Sequence, residues 1–335
     1  MTAKCYNLTF GFGPAITYDF PYMTNALRAV IDVGTNSVKL LIAEVTSGGV
    51  HPVHEESRQT RLGQGFYETH ELQPTPIAHT AEAVRVFADT ARAKHCHTIR
   101  VIATSAARDA VNPTALTSAI LQASGLVTEI ISGAREADWA FQGVATDTEL
   151  AKYPLLLLDV GGGSTEFILG HGQKKNFAHS FPLGTVRLME RFPVSDPPTP
   201  AEYAACHDWL KHFLNAEVRP QLYPALQLEQ KNGAVQLVGT GGTSSILARL
   251  ETQSDRFDRE QIESTVLTFD RLVAHRQNLW FLPLAERKEI KGLPKLRADV
   301  ILTGALIFEA VMAEFGFTEL RVSTRGLRFA AVMAG

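Results

Sequence analysis

Two stretches of the chain share one pattern of apolar and polar positions. From Ala29 to Ala43 the sequence reads AVIDVGTNSVKLLIA, and from Leu156 to Gly170 it reads LLLDVGGGSTEFILG. In each, an apolar run leads into Asp-Val-Gly, a small polar turn follows, and a second apolar run leaves. Aligning Asp32 with Asp159 also aligns Val33 with Val160, Gly34 with Gly161 and Ser37 with Ser164. Each copy therefore predicts a β-hairpin with a polar tip. Two such hairpins in one chain predict two related half-domains that face each other.

The segments after each hairpin alternate in the same way. A strand is expected near Val50 to Arg58. Helical spacing follows at Ile77, Ala81, Val84 and Phe87. A buried strand from Ile99 to Ala103 breaks into a Thr-Ser turn, and Asn112-Pro113 opens a helix that runs to Ser124. LVTEIISG then reads as a strand, and AREADWAFQGVATDTEL as a helix. The second half repeats the scheme, with a strand near Lys175 to Phe181 and a strand, glycine turn and helix in AVQLVGTGGTSSILARLE. A long helix from Asp299 to Phe315, a short strand from Glu319 to Val322 and a last helix from Arg325 to Val332 complete it. Alternating strands and helices predict an α/β fold. We expect a first domain at 27–138 and 324–335, a second at 139–323, and an N-terminal extension at 1–26 outside both. That extension shows no periodicity, and Met23 is an alternative start.

A length of 335 residues suits two domains, because single cores rarely grow beyond about 250–300 residues. An apolar fraction of 45% and a net charge of −3 are ordinary for a globular protein. A polyanionic ligand must then be met by local basic groups, since the overall field does not attract it. Three scattered cysteines make neither a disulfide framework nor a zinc site, which fits a reducing cytoplasm. The cluster KHCHT at Lys94 to Thr98 has no second cluster to complete a metal site. No apolar stretch is long enough to span a bilayer: ILTGALIFEAVMAEF is interrupted by Glu309 and Glu314.

Glycines inside a buried run weaken a strand unless the bare backbone has a task. Backbone amides freed by glycine turns form anion nests. We assign that task to Gly161, Gly162 and Gly163, with hydroxyls from Ser164 and Thr165, and to Gly34, Thr35, Asn36 and Ser37 opposite them. A dinucleotide fold needs its glycines to open a helix, whereas a strand, Phe167 to Leu169, follows here. A Walker loop needs Gly-Lys-Ser or Gly-Lys-Thr, and the chain contains no Gly-Lys pair. Asp159 ends a buried strand, and Glu166 returns seven residues later on the other arm. Two carboxylates beside a phosphate nest suit Mg²⁺, which takes few protein ligands plus water and substrate oxygens. The alternative for these acids is a buried salt bridge to an arginine.

These stretches, with VIATSAARDA, IISGAREADWAFQGV, SFPLGTVRLMERF, LVGTGGTSSILARLE, GLPKLRADVILTGALIFEAV and ELRVSTRGL, resemble the exopolyphosphatase/guanosine pentaphosphate phosphohydrolase (Ppx/GppA) family over about Ala29 to Val332. The resemblance implies the actin-like ATPase fold, with two ribonuclease H-like halves around a cleft, in the short two-domain form. It implies that Glu136, in SGAREA, is the catalytic base, that Arg108 faces phosphate, and that Asp159 and Glu166 hold the metal. Gly241, in GTGGTSS, falls in a further phosphate-contacting loop. Arg135 stands where the family pattern has an acid, and a positive neighbour is expected to lower the pKa of Glu136.

The implied reaction is release of terminal phosphate from inorganic polyphosphate, with pppGpp hydrolysed more slowly and ATP poorly. The rivals are a pppGpp 5′-phosphohydrolase, an ATP-dependent kinase of the same fold and a silent phosphate sensor. No cluster suited to a guanine base stands near the motifs; Trp139 and Phe141 read as core. Lys288, Lys291, Lys295 and Arg297 are candidates for a polyanion track, with Arg61 and Lys174 as weaker ones. No nucleic-acid or membrane partner is expected, a cytoplasmic location is, and a homodimer is compatible with the sequence.

Overall fold

The computed structural model describes residues 26–47 and 49–334. The extension at 1–26 thus lies almost wholly outside the described residues. The first half contains β1 (Leu27–Val33), β2 (Ser37–Thr46), β3 (Gly49–Gln59), α1 (Pro74–Ala93), β4 (Thr98–Ala103), α2 (Ser105–Asp109), α3 (Pro113–Ser124), β5 (Thr128–Ile130) and α4 (Gly133–Val144). The second begins with β6 (Leu155–Val160), β7 (Thr165–His171), β8 (Lys174–Phe181), α5 (Thr185–Arg191), α6 (Pro200–Phe213), α7 (Arg219–Asn232), β9 (Gln236–Thr240) and α8 (Gly241–Thr252). It continues through α9 (Arg259–Glu263), β10 (Val266–Thr268), α10 (Phe269–Trp280), α11 (Leu284–Arg287), α12 (Ile301–Phe315), β11 (Glu319–Val322) and α13 (Leu327–Met333).

The first sheet has the order β3-β2-β1-β4-β5, with β1 antiparallel to β2 and parallel to β4. The second has the order β10-β11-β9-β6-β7-β8, with β6 antiparallel to β7 and parallel to β9. Reading the second sheet as β8-β7-β6-β9-β11 reproduces the first strand for strand. The repeat seen in the hairpins thus extends to the whole sheet, and β10 is an added edge. The Thr-Ser turn expected after β4 is the short helix α2.

Helix α4 joins the halves. Trp139 packs with Val30, Leu41 and Ile102 of the first sheet and with Phe329 of α13. Ala137, Ala140, Phe141 and Val144 pack against Leu155, Leu157, Ile168 and Val238 of the second. A helix apolar on two faces is buried on both. This anchors the start of α4 in the cleft, and α13 returns the chain from β11 to the first domain.

Helix α12 is buried on almost every side, including Glu309. Its carboxylate accepts two hydrogen bonds from Arg276 of α10, at 2.6 Å and 2.8 Å, and both residues are at most 7% exposed. The acid that interrupts the apolar run in the sequence is therefore half of a buried, two-point ion pair. No helix among the described residues is long and apolar enough to cross a membrane.

Glu309→Gln leaves the Arg276 charge buried without a counter-ion and should lower stability by about 3 kcal/mol. The double change Arg276→Met with Glu309→Leu should recover most of that loss. Urea denaturation of the three proteins checks both; equal stability of the single variant and the parent would show that the pair does not support the fold.

Candidate active site

The two hairpin tips are built alike. The Gly34 amide donates to the Ser37 carbonyl at 3.0 Å, and the Gly161 amide donates to the Ser164 carbonyl at 3.0 Å. Strand register pairs Asp32 with Lys39 in the first hairpin and Asp159 with Glu166 in the second. The tips meet across the cleft. A Cβ on Gly162 would stand 2.9 Å from Cβ of Thr35, and one on Gly163 would collide with the hydroxyls of Tyr67 and Ser105. What comes too close for a side chain is thus the other domain as well as any ligand.

Between the tips lies an inner chamber of about 70 Å³, walled by both loops and by Ser105, Glu136, Asp159 and Glu166. That is room for roughly two waters or one phosphoryl group, at about 30 Å³ per water. Buried polar atoms normally have partners. Here Asp32 Oδ1 and the hydroxyls of Thr35 and Ser105 are buried without one among the described residues, as is the Thr240 hydroxyl at the wall of the neighbouring chamber. Such a concentration of unpaired groups marks a place for a polar ligand.

Asp32, Lys39, Asp159 and Arg297 also line an outer chamber of about 400 Å³, with Ile246, Phe257 and Leu296 on its walls. Phe257 and Leu296 are exposed. The sequence carried no sign of this chamber. Its walls join residues of the first hairpin to Ile246, Phe257 and Leu296, more than 200 positions further along the chain, and no local pattern announces that.

Glu136 occupies the first turn of α4, whose N-cap Ser132 accepts from the Arg135 amide. It is 7% exposed, and its Oε2 accepts from Arg108 Nη1 at 2.7 Å. Burial pushes its carboxyl up to about 7 against the pull of Arg108, with Asp159 and Asp32 adding to the rise. The expected lowering by Arg135 is overturned. Consecutive helix residues point about 100° apart, and Arg135 turns outward to Glu129 at 2.7 Å and over the Trp139 ring.

Glu166 Oε1 accepts from the hydroxyls of Ser164 at 2.9 Å and Ser180 at 2.7 Å. Burial, then the nearby Glu136 and Asp159, raises its carboxyl well above the usual range. Burial raises Asp32 and Asp159 too, and Lys39 opposes both shifts. The alternative of a salt bridge to an arginine is not what Asp159 and Glu166 make. Neither forms an ion pair with Arg or Lys among the described residues; Glu166 is buried and Asp159 half-buried, with Lys39 acting on Asp159 only through space. Such oxygens fit a hard divalent cation. No three His, Cys, Asp or Glu side chains among the described residues are grouped to hold a metal, so a bound ion would draw its other ligands from water and phosphate oxygens.

Most of the expected residues converge here, with exceptions. Thr165 does not: its hydroxyl donates to the Leu183 carbonyl on the far face of β7, because strand residues alternate. Gly241, at φ +88°, lines the outer chamber, where its bare Cα admits Asp159; a Cβ there would stand 2.6 Å from Asp159 Oδ1. Arg297 donates to Ser37 Oγ at 2.8 Å inside the cleft. Lys295 instead pairs with Glu289, and Lys288 and Lys291 stay on the surface, so the basic series is not one stripe. Arg61 pairs with Asp299 at 2.7 Å, and Lys174 lies on the exposed edge strand. Sequence reasoning passed over Asp32 and Lys39 as site residues. The signal was present: Asp32 and Lys39 have the same seven-residue spacing as Asp159 and Glu166.

The sequence matches the Ppx/GppA phosphatase family over residues 41–332. Exopolyphosphatase 2 of Mycobacterium tuberculosis is 36% identical over 308 residues, covering 88% of this chain and 94% of that protein. A crystal structure of the Aquifex aeolicus Ppx/GppA family member superposes with a TM-score of 0.73 at 30% identity, covering 92% of this chain and 97% of that one. An exopolyphosphatase structure from Cytophaga hutchinsonii gives a TM-score of 0.80 at 26% identity, over 92% and 97% of the two chains. The match of sequence, paired hairpins and actin-like ATPase fold has one reading: the chain belongs to the Ppx/GppA phosphatase family of phosphoanhydride hydrolases.

Proposed function

We propose that this protein is an exopolyphosphatase that hydrolyses the terminal phosphoanhydride of inorganic polyphosphate. The observation that carries the reading is the inner chamber, on the scale of one phosphoryl group, walled by both glycine loops and with a buried glutamate at its wall. The similarity to exopolyphosphatase 2 supports the same substrate class.

In this reading the terminal phosphoryl group enters between Gly34–Ser37 and Gly161–Ser164. Arg108 shares its guanidinium between Glu136 and the phosphoryl oxygens. Glu136 Oε1, free of the Arg108 contact, accepts a proton from water as the water oxygen bonds to phosphorus. The bridging P–O bond breaks, orthophosphate forms, and the shortened chain leaves through the outer chamber past Lys39 and Arg297. A base with a pKa near 7 is well matched to neutral conditions. Asp159 and Glu166 would hold Mg²⁺, which supplies charge neutralisation on the phosphate oxygens.

A second reading, hydrolysis of pppGpp to ppGpp, draws on the outer chamber. Phe257 and Leu296 offer apolar contact to a base, and 400 Å³ lies within the range of small-ligand sites. Polyphosphate should be favoured over pppGpp, and ATP should be poor. kcat/KM for the three substrates at one Mg²⁺ and salt concentration tests the order; a tenfold or greater advantage for pppGpp reverses it.

Glu136→Gln should lower turnover about a hundredfold or more while leaving polyphosphate affinity nearly intact. Phosphate release with a binding titration checks this, and near-normal turnover removes Glu136 from the base role. In the parent enzyme kcat/KM should climb with pH through about 7 and level off above it, because only the ionised carboxylate takes a proton. A flat profile across that range contradicts the assignment. Asp159→Asn and Glu166→Gln should each raise the Mg²⁺ concentration for half-maximal activity. Unchanged titration curves in both would make these acids structural.

A further inference from the structure

Helix α5 reaches from the second domain onto the first. Arg187 and Glu190 lie three residues apart, on one face of the helix. Glu190 accepts from the amides of Gly65 at 2.7 Å and Tyr67 at 3.2 Å, in the loop after β3. Arg187 covers the Tyr67 ring, its guanidinium carbon 4.3 Å from the ring centroid. Its Nε donates to the Gly163 carbonyl at 2.8 Å, and its Nη2 donates to Asp109 Oδ2 at 3.1 Å. The other oxygen of Asp109 is 3.5 Å from Arg108 Nε. Arg108 in turn donates to Glu136 at 2.7 Å.

Arg108 therefore stands between two carboxylates, and only one of them is useful in catalysis. Asp109 is its sequence neighbour and is more exposed than Glu136. Left unpaired, Asp109 would compete for the guanidinium. Arg187 engages Asp109 at the shorter distance, while Arg108 keeps a 2.7 Å bond to Glu136 and only a 3.5 Å contact to Asp109. Because Arg187 comes from the other domain, this arrangement forms only when the cleft is closed. The same guanidinium holds the carbonyl of Gly163, so one side chain fixes both a phosphate loop and the partner of the base.

We propose that Arg187 is a positioning residue for phosphoanhydride hydrolysis, which, by holding Asp109, keeps Arg108 on Glu136 and couples closure of the two domains to assembly of the site. This rests on the roles proposed above for Glu136 and Arg108.

The test is a double-mutant cycle with polyphosphate as substrate. Arg187→Ala should lower kcat about tenfold or more with KM changed less than about threefold. Asp109→Asn alone should have a small effect. Combined with Arg187→Ala, it should recover a large part of the lost kcat, because the competing carboxylate is gone. Arg187→Lys should retain part of the activity and, being conservative, carries the test if Arg187→Ala does not fold. A clasp that serves structure alone predicts the opposite: additive losses in the double variant, tracking the fall in melting temperature. Additive losses, or an Arg187→Lys enzyme with parental kcat alongside an unaffected Arg187→Ala, overturn the proposal. Glu136→Gln measured in parallel separates the two readings. If that variant keeps full turnover, the proposed base fails; if it is inactive while the cycle is additive, only the role of Arg187 fails.

Discussion

The structure depends on the contact between two glycine loops. Gly162 and Gly163 press against Thr35, Tyr67 and Ser105 of the opposite domain so closely that no side chain fits. The hairpins that carry them are copies, so the contact brings like ends of like sheets together. It limits the inner chamber to the scale of a phosphoryl group. It also decides which side chains share that space, since Asp32, Asp159 and Glu166 stand one or two residues from the loop ends.

Gathering acids in a dry place has an electrostatic consequence. Asp32, Asp159, Glu166 and Glu136 are all shifted toward their neutral forms, with burial as the largest cause. Lys39 and Arg328 oppose the shift at Asp32 and Asp159, and Arg108 does so at Glu136. Burial lowers Lys39, and it brings Arg297 down to about 10. A polyanion entering such a site meets carboxylates as well as cations. The arrangement fits a ligand that arrives with its own divalent counter-ion, and it makes the position of each positive group matter.

The two domains are held in different ways on the two sides of the cleft. Behind it, α4 shares apolar cores with both sheets, and α13 packs on the first. Across its mouth the contacts are polar: Arg187 to Asp109, Arg61 to Asp299, Arg259 to Glu55 and Arg297 to Ser37. Partly exposed ion pairs are weak and sensitive to salt. Hydrophobic packing at the back and ion pairs at the front are the distribution expected of a hinge and a clasp.

Much of this was legible in the sequence because it is local. A hairpin announces itself within fifteen residues, so both tips, Asp159 with Glu166 and the doubled architecture could be read directly. Glu136 and Arg108 came from resemblance of short motifs, and the structure brings them within hydrogen-bonding distance. What failed did so for geometric reasons. Arg135 adjoins Glu136 in the chain but points away from it on the helix. Thr165 adjoins Ser164 but faces the other side of the strand. Of the four basic candidates for a polyanion track only Arg297 enters the cleft, where it reaches Ser37, 260 positions distant in the chain. The outer chamber and the Arg187 clasp likewise join residues far apart in sequence. Periodicity and turn chemistry determine elements and their ends, because those depend on neighbours a few residues away. Which charges meet across a cleft depends on how two finished domains are set against each other, and only the tertiary structure decides that.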